Sequence, residues 1–222
     1  MLLKERDRQI VTERLSHLPN PVQLILFTDM QSHKESSEIM RQLLEEVVAA
    51  SQGNVSLKVY ELADSPQEAQ SYGLERAPAL VVRSAQKDYG IRFLGVPAGY
   101  EFASLMGAIE DVGNGEPNLS PDTRLQLATL KRPVHLQVFV TFGCPYCPAA
   151  VRLAHKLAMA SDLVRAEMVS SEEFPELASR YGVMAVPKTV INGQYGFEGA
   201  LPEPQFVQQV LRAASGGLLI VP

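Results

Sequence analysis

The sequence predicts an α/β protein made of two tandem copies of one unit, each a mixed central sheet flanked by helices. An ordered repeat is the first observation behind that prediction. PVQLILF (Pro21–Phe27) returns as PVHLQVF (Pro133–Phe139), YGLERAPALV (Tyr72–Val81) as YGVMAVPKTV (Tyr181–Val190), and GVPAGYEF (Gly95–Phe102) as GALPEPQF (Gly199–Phe206). The offsets shrink from 112 to 109 to 104, as short loop deletions would produce. The second observation is that short apolar runs alternate with helix-periodic segments in the same order within each copy. A chain of 222 residues has room for two domains of ordinary size. The turn-rich stretch GNGEPNLSP (Gly113–Pro121) separates them, which sets the boundaries at 1–113 and 117–222.

Each unit opens with a helix. Leu2–Leu18 is the first, and its counterpart is Pro121–Leu130, with Ser120 as cap and Pro121 in the first turn. A buried strand follows, Val22–Phe27 and Val134–Val140. The long helix after it carries Ile39, Leu43, Leu44, Val47 and Val48 in the first copy, and Val151, Leu153, Ala154, Leu157 and Ala158 in the second. Next come the strands Val55–Leu62 and Leu163–Val169, then a short helix with an acidic start (DSPQEAQSYG; SSEEFPELASRYG). Ser171 suits its cap, ahead of Glu172 and Glu173 at the positive end of the helix. Two strands then pair as a hairpin, Ala79–Arg83 with Gly90–Leu94 and Thr189–Ile191 with Tyr195–Glu198. The second hairpin turns on Asn192-Gly193, the preferred two-residue turn. A last helix closes each unit, Gly99–Val112 and Pro202–Ala214. The βαβ start implies parallel, right-handed pairing, and the hairpin makes the sheet mixed. The units are expected to pack through their sheets or their first helices.

Composition sets the class. The chain is 46% hydrophobic and 20% charged, enough to build a core. A net charge of −5 without a long basic run argues against nucleic acid or an anionic membrane as partner. The start, MLLKERDRQIVTERL, lacks the apolar core of a secretory signal, and the end, GGLLIVP, is too short to span a bilayer. The expected location is cytoplasmic. A close cysteine pair there points to redox chemistry or metal rather than to a structural disulfide.

The only two cysteines, Cys144 and Cys147, lie in TFGCPYCPAAVRLAHKL (141–157). A thiol is nucleophilic only as thiolate, and the free N–H groups and dipole of a helix N-terminus stabilise that anion. The spacing predicts Cys144 exposed at the positive end of the helix, with a pKa in the range of roughly 3.5–7.5 known for such motifs. Pro145 takes a first-turn position. Cys147 falls on the same side of the turn, more buried and near enough to close a disulfide. These are the places of an attacking and a resolving thiol. Zinc is the competing reading, but it wants four ligands and one CxxC supplies two. There is no second CxxC. His135 starts a strand, His155 lies 11 residues beyond Cys144, and His17 and His33 are in the other copy, so no metal is expected.

A strand, then Cys144-Pro145-Tyr146-Cys147, a helix, and Val186-Pro187 before a hairpin strand resemble the thioredoxin/glutaredoxin superfamily. The resemblance covers nearly the whole chain and is strongest to the two-unit protein disulfide oxidoreductases of thermophilic prokaryotes. It extends to the double-thioredoxin-fold N-terminal domain of flavin alkyl hydroperoxide reductases. It implies two tandem thioredoxin-like folds, a cis-proline at Pro187 with its copy at Pro78, and a Val186 backbone that pairs with substrate beside Cys144. Tyr146 would tune the thiols or contact substrate, or simply stand exposed. One departure is plain. The first unit has Ser32-His33-Lys34-Glu35 where the second has its cysteines, so it has no dithiol.

The implied function is a thiol–disulfide oxidoreductase that reduces or exchanges disulfides of protein substrates through Cys144 and Cys147. Without a GxGxxG fingerprint the chain is expected to hold no FAD or NADPH by that route. A thioredoxin-reductase-like flavoprotein would recharge it. The narrower alternative is a dedicated electron carrier from a flavoprotein reductase to a peroxiredoxin. Ser32-His33-Lys34-Glu35 reads as a solvated helix start, with Ser32 as cap and Glu35 in the capping-box position. Thioredoxins place a buried carboxylate six residues before the first cysteine, and here that residue is Val138. Glu167 is either its substitute or a solvated strand residue. Lys188 is either a partner for the thiolate or a surface charge, and His155 is a helix-face residue.

Overall fold

The computed structural model describes residues 2–216. The first unit contains α1 (Glu5–Leu15), β1 (Val22–Thr28), α2 (Lys34–Ala50), β2 (Val55–Glu61), α3 (Pro66–Ser71), β3 (Ala79–Ser84), β4 (Asp88–Leu94), a single 3-10 turn (Gly99–Glu101) and α4 (Phe102–Asn114). The second contains α5 (Pro121–Leu127), β5 (Val134–Val140), α6 (Cys147–Ala160), β6 (Val164–Ser170), α7 (Pro175–Arg180), β7 (Lys188–Ile191), β8 (Tyr195–Glu198) and α8 (Glu203–Ala214). Most of the apolar end, residues 217–222, lies outside the described residues. Among the described residues no helix is long and apolar enough to cross a membrane.

Local chemistry explains most of the boundaries. The Ser120 hydroxyl accepts the Thr123 N–H at 3.2 Å and caps α5. Asn192 and Gly193 both take positive φ, 53° and 67°, the geometry that the β7–β8 turn needs. Two caps differ from expectation. α7 starts at Pro175, after Phe174, rather than at Ser171. A residue before proline is steered away from helical geometry, which delays the start. Glu172 and Glu173 therefore sit in the loop ahead of α7. α2 is capped by His33 rather than by Ser32. Asp29 is the reason: its Oδ1 accepts the N–H groups of Gln31 and Ser32 and ties Ser32 into a turn.

Among the described residues all the strands join one eight-stranded sheet, in the order β2-β1-β3-β4-β6-β5-β7-β8. Within each unit the first pair is parallel and the hairpin antiparallel. The units meet where β4 pairs in parallel with β6, from Ile91 opposite Ala166 to Leu94 opposite Val169. The joint therefore runs through the sheet. Side chains alternate between faces along each strand. One face carries the larger core, built with α1, α2, α4, α6 and α8 and containing both cysteines. The other face is covered by α3 and α7 over a core that includes Phe27, Leu74, Phe139 and Phe174. Both cores draw on both units.

His155 secures the joint. It is buried on α6, with Nε2 3.1 Å from the carbonyl oxygen of Arg92 on β4 and its ring packed edge-on against Phe93. Burial pushes its pKa down to about 4, so the ring is neutral near pH 7. It is a helix-face residue as the sequence suggests, and the face it occupies is the one that meets the first unit.

Candidate active site

The loop Thr141–Tyr146 carries the chain from β5 into α6. Cys144 N–H donates to the Thr141 carbonyl at 3.2 Å, which folds the loop back on itself. Cys144 and Cys147 are joined as a disulfide with their Cα atoms 5.5 Å apart. The Cys147 N–H, one of the orphan donors at the start of α6, points at Cys144 Sγ at 3.2 Å. That places positive dipole density on the sulfur. Cys147 is fully buried, as expected. Cys144 is only 7% exposed, where spacing alone implied an open position. The disulfide and the neighbouring Val186 carbonyl, 3.8 Å from Sγ, cover it. Pro145 also departs from expectation. It lies ahead of the helix, because α6 begins at Cys147 and its first-turn proline is Pro148.

Val186-Pro187 is a cis peptide bond, and so is its copy Ala77-Pro78. Pro187 is buried, and Val186 is half-buried beside Cys144. Tyr146 stands in solvent between the cysteines. The geometry thus gathers Cys144, Cys147, Pro145, Tyr146, Val186 and Pro187 into one site.

Two other candidates belong elsewhere. Glu167 is buried on β6, held by Gln137 at 3.0 Å, His135 at 3.4 Å and Arg165 at 3.9 Å. Burial works to raise its pKa, but those partners hold the carboxyl below its ordinary value. It is therefore not a solvated residue. Alternation along β6 aims it at the α7 face, away from the disulfide, so it is not a substitute for the carboxylate missing at Val138. With Gln137 and Arg165 it lines a cleft of about 700 Å³ between α3 and α7. Lys188 is buried on the same face, opposite Phe139, with Nζ donating to the Gly182 carbonyl at 2.9 Å. It is neither a thiolate partner nor a surface charge.

The first unit supplies what sequence reasoning missed. The Gly99–Glu101 turn packs against α6, and Tyr100 N–H donates to the Phe142 carbonyl, two residues before Cys144. Glu101 in that turn has no exposed surface, and neither carboxylate oxygen has a well-formed hydrogen bond among the described residues. Burial pushes its pKa up to about 7, against a smaller pull from Ser104. In sequence, Glu101 reads as an ordinary acidic residue at a helix start. The turn that carries it packs against both α4 and α6. Glu172 and Glu173 clamp the same region: Glu172 accepts the Phe142 N–H at 3.1 Å, and Glu173 accepts the Val96 N–H of the first unit at 2.7 Å. Among the described residues no group of three or more His, Cys, Asp or Glu could hold a metal ion.

The same two-unit fold recurs in known proteins. The thioredoxin domain family profile matches residues 134–212. A protein disulfide oxidoreductase from Aeropyrum pernix is 31% identical and superposes with a TM-score of 0.89, over 99% of this chain and 97% of its own. The NTD_N/C domain of alkylhydroperoxide reductase AhpF from Enterococcus faecalis is 27% identical with a TM-score of 0.86, over 94% of this chain and 99% of its own. An alkyl hydroperoxide reductase protein of Staphylococcus epidermidis is 27% identical over 74% of this chain, which is 33% of its own length. A protein named NADH dehydrogenase from Ferdinandcohnia aciditolerans is 26% identical over 62% of this chain and 26% of its own length. The chain therefore spans about a quarter to a third of the curated relatives it matches first.

Proposed function

The chain belongs to the thioredoxin/glutaredoxin superfamily, among its two-unit thiol–disulfide oxidoreductases, and from that premise we propose that it carries electron pairs from a flavoprotein reductase to a peroxiredoxin. One observation carries the reading. A two-unit scaffold like that of the AhpF domain holds a single cysteine pair at the start of α6, while the first unit has none. With two cysteines, each cycle moves one electron pair.

In the proposed cycle the Cys144 thiolate attacks one sulfur of the partner's disulfide. A mixed disulfide forms and one partner thiolate leaves. Cys147 then loses its proton and attacks Cys144 Sγ. The second partner thiolate is released, and the Cys144–Cys147 disulfide remains. The partner has gained two electrons and the dithiol has lost them. A dithiol on a thioredoxin-reductase-like flavoprotein reverses the exchange and restores both thiols. The Cys147 N–H aimed at Cys144 Sγ supports the thiolate at Cys144. Val186 offers its backbone to the incoming segment. Glu101, a buried acid with a pKa near 7 on the turn that packs against α6, is suited to take the proton that Cys147 gives up.

A second reading is a general reductase of protein disulfides, favoured by the 31% identity with the Aeropyrum pernix oxidoreductase. Replacing Cys147 with serine leaves mixed disulfides at Cys144 unresolved, so clients can be trapped in lysate and identified by mass spectrometry. The expected catch is a peroxiredoxin and one flavoprotein. A broad set of clients would favour the general reductase. An empty trap from folded protein, with Cys144 of the reduced form inert to iodoacetamide, would end both readings.

A further inference from the structure

Beside the loop that leads to Cys144 the two units line an open pocket of about 450 Å³. Its apolar walls are Ile39 on α2, Val96 and Ala98 after β4, and Phe142 in the loop before Cys144. Two residues of extended chain span about 7 Å, so Phe142 brings this wall to within about that distance of the Cys144 Cα. Three large side chains stand in solvent around the same loop: Met184 is 90% exposed, Tyr146 71% and Tyr100 52%. Each is tied to the site. Tyr146 lies between the cysteines, Met184 is two residues from Val186, and Tyr100 N–H bonds to the Phe142 carbonyl. Single exposed apolar groups need no explanation, but a group of them beside a pocket with apolar walls of Ile39, Val96, Ala98 and Phe142 marks a contact surface. Ser32, His33, Lys34, Glu35, Ser36 and Glu173 complete the lining at the pocket's polar rim, and because Lys34 is set against Glu35 and Glu173, charge selects no single partner here.

We propose that this pocket is a subsite for a large apolar side chain of the partner's extended segment, about three residues from the cysteine that reacts with Cys144. The unit without thiols would then select substrates for the unit with them. The occupant follows from the chemistry of the neighbouring sulfur. Exchange requires a partner cysteine at Cys144 Sγ, and an extended segment advances about 3.3 Å per residue, which carries a residue three positions away past Phe142. The inference rests on the reading that Cys144 exchanges with a partner disulfide.

The test uses the reduced full chain and two kinds of oxidant. One is dithiobis(nitrobenzoate), a small disulfide that has no side chain to place in the pocket. The other is a pair of peptide disulfides carrying Leu or Ser three residues to either side of the cysteine. The Leu peptide should be reduced with a kcat/KM about tenfold above that of the Ser peptide. Ile39→Lys, on an exposed helix face, should abolish that ratio and leave dithiobis(nitrobenzoate) reduction unchanged. A ratio of one in the native chain, or a ratio that survives Ile39→Lys, would overturn the subsite. A native dimer dissolved by Ile39→Lys, with peptide selectivity intact, would assign the pocket to a second copy and overturn it as well. Failure of the native chain to reduce dithiobis(nitrobenzoate) would defeat the exchange reading itself.

Discussion

Glu101 is a carboxylic acid with no exposed surface, and its protonation shapes stability. Its folded pKa of about 7 lies above the ordinary 4.5. Between those values the folded chain keeps a proton that the unfolded chain has released, so its contribution falls as pH rises from about 4.5 through 7. Glu101→Gln removes that loss. Urea unfolding should find the variant more stable than the native chain at about pH 8, by up to about 3 kcal/mol, and similar at about pH 4. If Glu101 takes the Cys147 proton, the same variant resolves mixed disulfides at least about tenfold more slowly near pH 7, read by single-turnover kinetics. Greater stability with unchanged resolution would make it a buried acid without a role. The cysteines were legible in sequence because CPYC compresses its chemistry into four residues. Glu101 was not, because its burial comes from tertiary packing of the turn against α4 and α6, which a lone acidic residue at a helix start does not announce. Lys188 and Glu167 were misjudged for a related reason: strand charges normally face water, and here the paired sheets and α7 bury them.

Among the elements, strands were the most readable. Val134–Val140 and Tyr195–Glu198 match the sequence reading residue for residue. Apolar runs and an Asn-Gly turn fix such segments locally. Helix starts were less readable, because Asp29 and Pro175 moved the caps of α2 and α7. The 3-10 turn before α4 matters most for the site. Gly99 holds φ at +58°, and a Cβ there would collide with the Phe142 carbonyl oxygen. Only glycine allows both the conformation and the close approach. Gly99→Ala should cost about 2 kcal/mol and displace the loop that carries Cys144. A thermal melt with an iodoacetamide rate for the reduced protein measures both. An unchanged melt and rate would show that the first unit does not pin the loop.

For the whole molecule, the repeat foretold two units but not that one sheet would run through both. Pairing across β4 and β6 depends on edges that single-chain periodicity does not rank. Residues 117–222 alone would leave β6 unpaired on one side and expose the His155 face of α6. That segment should unfold at a urea midpoint at least about 1 M below that of the full chain. An equal midpoint would show that the units fold independently.

The joint has a geometric corollary. β4 and β6 are the repeat equivalents of β8 and β2, the two strands left at the ends of the sheet. The union inside the molecule is therefore head-to-tail, and copying it between molecules would generate an open filament instead of a closed ring. The terminal strands differ from their internal equivalents in ways that discourage this growth. β8 has four residues where β4 has seven, and Glu198 stands where Leu94 joins β6. On β2, Lys58 takes the place of buried Glu167 and holds its ammonium over Tyr60. A shortened strand and an edge lysine are recognised defences against strand-to-strand polymerisation. Duplication that doubled the sheet also made self-assembly available, and the ends carry the residues that stop it.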